Sequence, residues 1–342
     1  MKMRANLKQA LALGALLALA AALAKPVKAG GVGADTIALF PKNTGEFGYV
    51  DMKKARTMKW FPALEQQIIP ERFRQFEKFL ASAGVDPNSQ VDELVWGLVP
   101  DAVTKDDKGG APAGVPSSEL TVGIAMGNYN PDSTEAYFKK QKLPTTKLDT
   151  FTLFAFGSGA GAGDLYFFFL DSSKAVFGHK ALLEKLIEIR QGREDGLLRN
   201  TDMYNLINEA NGTGLVWAVL GPAYTRLAMS QLAPEVQQFP DAAKLVQNMK
   251  SMILSATAGS GVDAKVQAVC ANTQDANTLS QLITAGLLYK KYQATKDNNQ
   301  EFGQLLDQAQ VSPSGDRIQI LMSVSDDQMS SLIQKKTFAV KM

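Results

Sequence analysis

The chain has 342 residues, a formal charge of +2 and 45% hydrophobic residues, enough apolar material for one large domain or two of ordinary size. A single cysteine and a single histidine exclude an internal disulfide framework and the usual zinc ligand sets. The near-balance of charge over the whole chain gives nucleic-acid binding no global support.

Residues 1–29 read as an export signal. Lys2, Arg4 and Lys8 form a positive n-region, Ala10 to Ala24 an apolar run, and Pro26 breaks the helix ahead of small-residue cleavage points after Ala24 or Ala29. The run of 15 residues is shorter than the roughly 18 to 20 needed to span a bilayer, so cleavage is expected rather than anchorage. The segment holds five lysines and arginines and no acid, so its removal leaves a formal charge of −3. No other stretch reads as a transmembrane segment. These features point to a periplasmic or secreted, soluble protein.

Down the mature chain, strands are expected at Gly45–Asp51, Val91–Val99, Glu119–Gly127, Leu148–Phe156 and Asp164–Leu170, from β-branched and aromatic content between turn residues. Phe73, Phe76, Phe79 and Leu80 give Pro70–Ser82 a helical period, and Asn130-Pro131 opens a second helix over Asp132–Gln141. A short strand, Ala175–Gly178, feeds the helix Lys180–Arg190, and Asn200 or Thr201 caps another helix ending at Ala210. Strands at Gly214–Leu220, Met249–Ala258 and Val262–Cys270 follow, with Gly259-Ser260-Gly261 as a tight turn between the last two. Helices over Asp275–Ala294 and Gln300–Ala309 precede the strand Asp316–Ser325, and Asp326 is expected to cap a final helix through Gln334.

Adjacent strands without crossover helices argue against a parallel sheet and for an α+β fold of antiparallel sheets backed by helices. The unalternating run Tyr166 to Leu170 predicts a strand covered on both faces and central in its sheet. Leu94-Val95-Trp96 resembles Leu215-Val216-Trp217, and Val122 to Asp132 parallels Val266 to Asp275. That likeness suggests two duplicated β-α-β-β-α-β type halves, 30–170 and 171–342.

No motif carries chemistry. The glycine-rich run Gly157 to Gly163 opens a strand rather than a helix and lacks the lysine of a phosphate loop, so a hairpin turn is expected. His179 has no soft ligands around it in sequence and no nucleophile elbow, and Cys270 sits in an apolar run that favours an inert thiol. The doublets Asp92/Glu93, Asp106/Asp107, Glu194/Asp195 and Asp326/Asp327 do not face each other on a helix or strand. Turn and cap roles are expected for them, with Asp92 and Asp326 at helix starts. Asp86, Asn88, Gln90 and Asp92 alternate like a calcium loop but lack its glycine and closing glutamate. No catalytic, cofactor or metal residue is therefore assigned. Asp101 to Ser118 is expected as a long polar connection, and Lys53, Lys54, Arg56, Lys59, Arg72, Arg74 and Lys78 as a basic region with possible contact to an anionic surface.

Ala38-Leu39-Phe40-Pro41, the run Val122 to Tyr129 ahead of a helix, Val176-Phe177-Gly178 leading into Ala181-Leu182-Leu183, Asp275-Ala276 and Ser325-Asp326-Asp327 together resemble an uncharacterised family of exported bacterial proteins, a domain of unknown function. The resemblance covers most of the mature chain. It implies an exported, often duplicated α+β domain and supplies no catalytic residue. The functional expectation is a non-catalytic binding or envelope-associated protein whose partner is an unknown protein or envelope component. The alternatives are a hydrolase with an Asp/Glu/Ser site that spacing does not reveal, and a carrier of an apolar ligand such as a lipid.

Overall fold

The structure is a computed structural model that describes residues 31–68, 71–103, 116–156, 159, 161, 163–232, 240–259, 261–297 and 300–335. The signal segment and the Asp106/Asp107 doublet lie outside the described residues.

The chain opens with a short helix, α1 (Ala34–Ile37), before the strand β1 (Glu46–Asp51). Helices α2 (Met52–Ala55), α3 (Phe61–Ile68), α4 (Glu71–Ser82) and α5 (Pro87–Gln90) lead to β2 (Val91–Val103) and β3 (Pro116–Gly127). Then come α6 (Pro131–Gln141), the strands β4 (Thr145–Leu148), β5 (Phe151–Phe156), β6 (Leu165–Phe169) and β7 (Lys174–His179), and the helices α7 (Lys180–Arg190) and α8 (Thr201–Ala210). The rest runs β8 (Val216–Leu220), α9 (Pro222–Leu232), α10 (Pro240–Gln247), β9 (Ser251–Ala258), β10 (Gly261–Val269), α11 (Thr273–Lys296), α12 (Gln300–Asp307), β11 (Gln310–Ser314), β12 (Arg317–Ser325) and α13 (Asp326–Gln334).

Among the described residues twelve strands form one sheet, in the order β11-β12-β10-β9-β8-β1-β2-β3-β7-β6-β5-β4. Every neighbouring pair is antiparallel. The fold is thus α+β, with one antiparallel sheet backed by helices. The sheet runs without interruption across residues 170/171, which fall in the turn joining β6 to β7. Trp96 and Trp217 do not occupy equivalent places. Their strands flank β1 on opposite sides, and the registers Gly48↔Trp96 and Tyr49↔Trp217 send the two indoles to opposite faces.

Cross-strand rows show how the two faces differ. One row runs Leu321, Lys265, Ser255, Trp217, Tyr49, Val95, Ile124, Val176 and Phe168. It is polar at one end and apolar at the other, and its apolar part is buried under Ile37, Leu183, Leu186 and Ile207 from α1, α7 and α8. Phe47, Trp217 and Tyr49 stack here and Phe40 meets Phe47 edge to face, with ring centroids 4.9 to 5.8 Å apart. On the opposite face one row is apolar across the full width, from Ile320, Val266 and Leu254 through Trp96 to Phe177, Phe167 and Phe154. Leu64, Tyr224, Leu279, Met329 and Phe138 cover it, from α3, α9, α11, α13 and α6.

The run Tyr166 to Phe168 is buried on both faces, but β6 lies third from the β4 edge rather than centrally. Both faces are covered there because α7 packs on one side and α4 with α6 on the other. The expected strand Leu148–Phe156 is interrupted: Asp149 adopts φ 53° and turns β4 into β5. β2 and β3 extend further than expected, with Ala102 opposite Ser118 and Val103 opposite Pro116.

Candidate functional site

β1, β2, β3 and β7, neighbours in the middle of the sheet, line up at one end of their strands and form a cleft of about 450 Å³ lined by Asp51, Lys53, Asp92, Glu93, Met126, Gly127, Ser173 and Lys174. Antiparallel pairing makes this arrangement. Asp51 stands opposite Glu93, Glu93 opposite Met126, and Met126 opposite Lys174, so strand alternation turns these side chains to one face. The Tyr49 hydroxyl donates to Glu93 Oε1 at 3.0 Å. Asp51 caps α2 by accepting from the Lys54 amide at 2.8 Å. Lys53 pairs with Asp92 at 3.4 Å, and Lys174 Nζ reaches Asp35 Oδ2 at 2.8 Å and Thr36 Oγ1 at 3.2 Å. The cleft is therefore acidic at its centre and carries lysines at its rim.

Burial raises the Glu93 carboxyl above its usual range, with Asp51 and Asp92 adding to the shift and the Tyr49 hydrogen bond opposing it. Asp35 is lowered by its hydrogen bond to Lys174. Ser173 donates from its hydroxyl to Asp171 Oδ1 at 2.6 Å, which ties it to a turn. Such a cleft can hold a small polar molecule that carries both signs of charge.

A second polar cluster lies at the other end of β1, on the opposite face. Glu46 is fully buried, accepts from Trp96 Nε1 at 3.0 Å through Oε1, and leaves Oε2 without a partner. Glu119 on β3 likewise has a buried, unpartnered Oε2. Tyr224 on α9 directs its buried hydroxyl toward Glu119, although no bond of ordinary geometry closes between them. Burial is the main cause that pushes Glu46 up to about 8 and Glu119 up to about 7.

The residues singled out from sequence are dispersed. The Asp92/Glu93 doublet does enter the cleft, but Asp92 is inside β2 and does not sit at a helix start as expected. Glu194 and Asp195 pair separately with Lys185 and Lys42 at the surface. Asp326 opens the first turn of α13 and accepts from Trp60 Nε1 at 2.8 Å, while the cap itself is Ser325. Asp86 caps α5 and binds Asn88 and Ser89, so this stretch forms a helix cap. The Thr121 amide donates to His179 Nδ1 at 2.9 Å, which ties the ring to β3. Cys270 is buried, and burial pushes its thiol up to about 11. The glycine-rich run joins β5 to β6, two paired antiparallel strands, and Tyr166 donates to the Gly159 carbonyl across that turn at 2.8 Å. Of the basic region, Arg56 faces inward and binds the carbonyls of Pro87 and Val91, and Arg74 binds that of Gln66. Among the described residues no group of three or more His, Cys, Asp or Glu side chains is placed to hold a metal ion. Nor is any helix there long and apolar enough to cross a membrane.

Sequence reasoning missed Glu46, Glu119 and Tyr224. Each sits in or beside an ordinary apolar stretch, and nothing local marks them as neighbours.

No protein-family model and no curated protein matches the chain. Among solved structures it is similar to a crystal structure of TP0453, crystal form I, with 12% sequence identity and a TM-score of 0.47, covering 90% of this chain and 99% of that one.

Proposed function

We propose that this is an exported, non-catalytic binding protein of the periplasm or extracellular space, and that the cleft between Asp51 and Lys174 is its ligand contact. The observation that carries the reading is the fixed charge pattern of that cleft, with Glu93 held by Tyr49 and Lys174 held by Asp35. Side chains tethered in this way suit recognition, because little ordering is left to be done when a ligand arrives.

The test is native mass spectrometry of the protein recovered from the exporting cell. A co-purifying polar molecule is expected, and it should be lost from the double variant Glu93→Ala/Lys174→Ala. Retention of the same molecule by the double variant would remove the cleft from consideration, and turnover of a substrate abolished by that variant would replace binding with catalysis. Export has its own readout. N-terminal sequencing of the recovered chain should begin at Lys25 or Gly30, and a chain that starts at Met1 would contradict signal cleavage.

A further inference from the structure

Helix α11 carries apolar residues on two faces, and only one of those faces packs on the sheet. Asn272 caps the helix, and Ala276, Leu279, Ser280 and Ala294 are buried, with Ile283 packed beside them. None of the residues 281–293 is buried. Leu282, Leu288, Tyr289 and Tyr292 lie in that stretch and are 41, 63, 59 and 68% exposed; Leu198 is the one other exposed large apolar side chain among the described residues. A surface helix ordinarily turns polar groups outward. Here the outward residues have a period instead: Leu282, Ala285, Tyr289 and Tyr292 follow one another at steps of three, four and three, and Thr278 and Lys296 continue the pattern four residues beyond either end. With Asp275 at its head, this is a coiled-coil seam of about three heptads.

The seam fits a second copy of itself. In an antiparallel pair whose two-fold axis passes beside Leu287, Leu282 stands opposite the partner's Tyr292 and Ala285 opposite the partner's Tyr289, so a smaller side chain faces a larger one in each layer. Gly286 adds room, because nothing lies within 4 Å of the place its Cβ would occupy. Glycine weakens a helix interior, and no neighbour in this chain comes close enough to require one there. Charge agrees with the same pairing. Asp275 in the first turn and Lys296 in the last bound a stretch of helix without another acid. Antiparallel packing sets Lys296 beside the partner's Thr278, one turn from the partner's Asp275, and keeps the two copies of Lys296 about 27 Å apart along the axis. A parallel pair would instead set Lys290, Lys291 and Lys296 against their own copies, and an anionic bilayer lying along the helix would meet Asp275.

We propose that α11 is a self-association element through which two copies of this chain pair antiparallel, along Leu282, Ala285, Tyr289 and Tyr292, into a two-fold dimer. One helix seam is smaller than a standard interface, so the dimer forms in a concentration-dependent way. α11 covers the face of the sheet opposite the one that carries Glu93 and Lys174, so pairing leaves both clefts open.

Sedimentation velocity of the full mature chain, from about 1 to about 500 µM, tests this. Monomer should give way to dimer with a Kd on the order of 10–100 µM. Tyr289→Glu/Tyr292→Glu should weaken the dimer by at least about tenfold and leave the melting curve of the dilute protein in place, because both rings are exposed. Asp275→Lys and Lys296→Asp should each weaken it by about twofold to tenfold, and the double exchange Asp275→Lys/Lys296→Asp should restore it, which an unspecific apolar patch would not reproduce. Glu93→Ala/Lys174→Ala should dimerise as the parent does, which separates this surface from the cleft. The proposal is overturned if the parent stays monomeric throughout, if the tyrosine variant still pairs as the parent does, or if the double exchange fails to restore pairing. Flotation with vesicles of phosphatidylcholine and phosphatidylglycerol completes the test: a monomeric parent that floats by way of Tyr289 and Tyr292 would give this face to a lipid surface and end the dimer reading.

Discussion

Trp96 can lie flat on β1 only because residue 48 has no side chain, and the consequence is measurable. Gly48→Ala would put a methyl group 2.1 Å from the indole. The ring must lift, breaking its bond to Glu46 and disturbing its packing against the apolar cluster beneath the helices. Overpacking of this kind costs about 1–3 kcal/mol. A urea melt should show a lower midpoint with the slope unchanged, the shift multiplied by the slope giving that energy; an unaltered midpoint would mean that the indole has room to move. At Cys270 the expectation is reversed. Its burial and its thiol value of about 11 leave almost no thiolate at neutral pH, so the folded protein should resist iodoacetamide and react fully only in denaturant. Rapid labelling of the native chain would contradict the packing described around that residue.

Elements with strong local signals were legible in the sequence. Asn130, Asn200 and Asn272 each accept from the amide three residues ahead, at the start of helices whose positions the pattern anticipates. At α13 the pattern was there but was assigned one residue late. Ser325 and Gln328 make reciprocal bonds with each other's backbone, a capping box written as Ser-Asp-Asp-Gln in the sequence. Ser325→Ala should therefore destabilise by about 1 kcal/mol, read as a lower melting temperature, whereas Asp326→Ala should remove the Trp60 contact instead. The edge strands β4 and β11 were illegible for a physical reason. Their residues are largely exposed or half-exposed, with no apolar alternation, and they are strands because β5 and β12 offer them hydrogen bonds. Helices α3 and α10 are only eight residues long, and apolar residues such as Phe61 and Leu64 in α3 span a single turn. The inner polar cluster was beyond local reading altogether, because Glu46, Trp96, Glu119 and Tyr224 meet only once β1, β2 and β3 are paired and α9 is laid across them.

At the scale of the whole molecule, that cluster makes stability depend on pH in an unusual direction. The folded values of Glu46 and Glu119, about 8 and about 7, lie above the ordinary carboxyl value of 4.5, so the native state binds these protons more tightly than the unfolded chain does. The stabilisation is complete below about 4.5 and is lost as pH rises through 7 and 8, once the unfolded chain has already given up its protons. The groups facing Glu46 are Glu119 from β3 and the Tyr224 hydroxyl from α9; both carboxyls have the same sign, so ionising one raises the other. Glu93 and Glu77, the latter pushed up to about 7 by burial, act in the same direction, with solvent reducing their effect. Asp35 and Asp171, held low by Lys174 and Ser173, oppose it only at the acidic end. The melting temperature should therefore fall between about pH 5 and pH 9, by an amount corresponding to a few kcal/mol. Glu46→Gln keeps the shape and removes the charge, so it should match the parent near pH 5 and exceed it near pH 9. If the variant instead loses stability equally at both ends, Glu46 is paired in solution and its second oxygen is not orphaned.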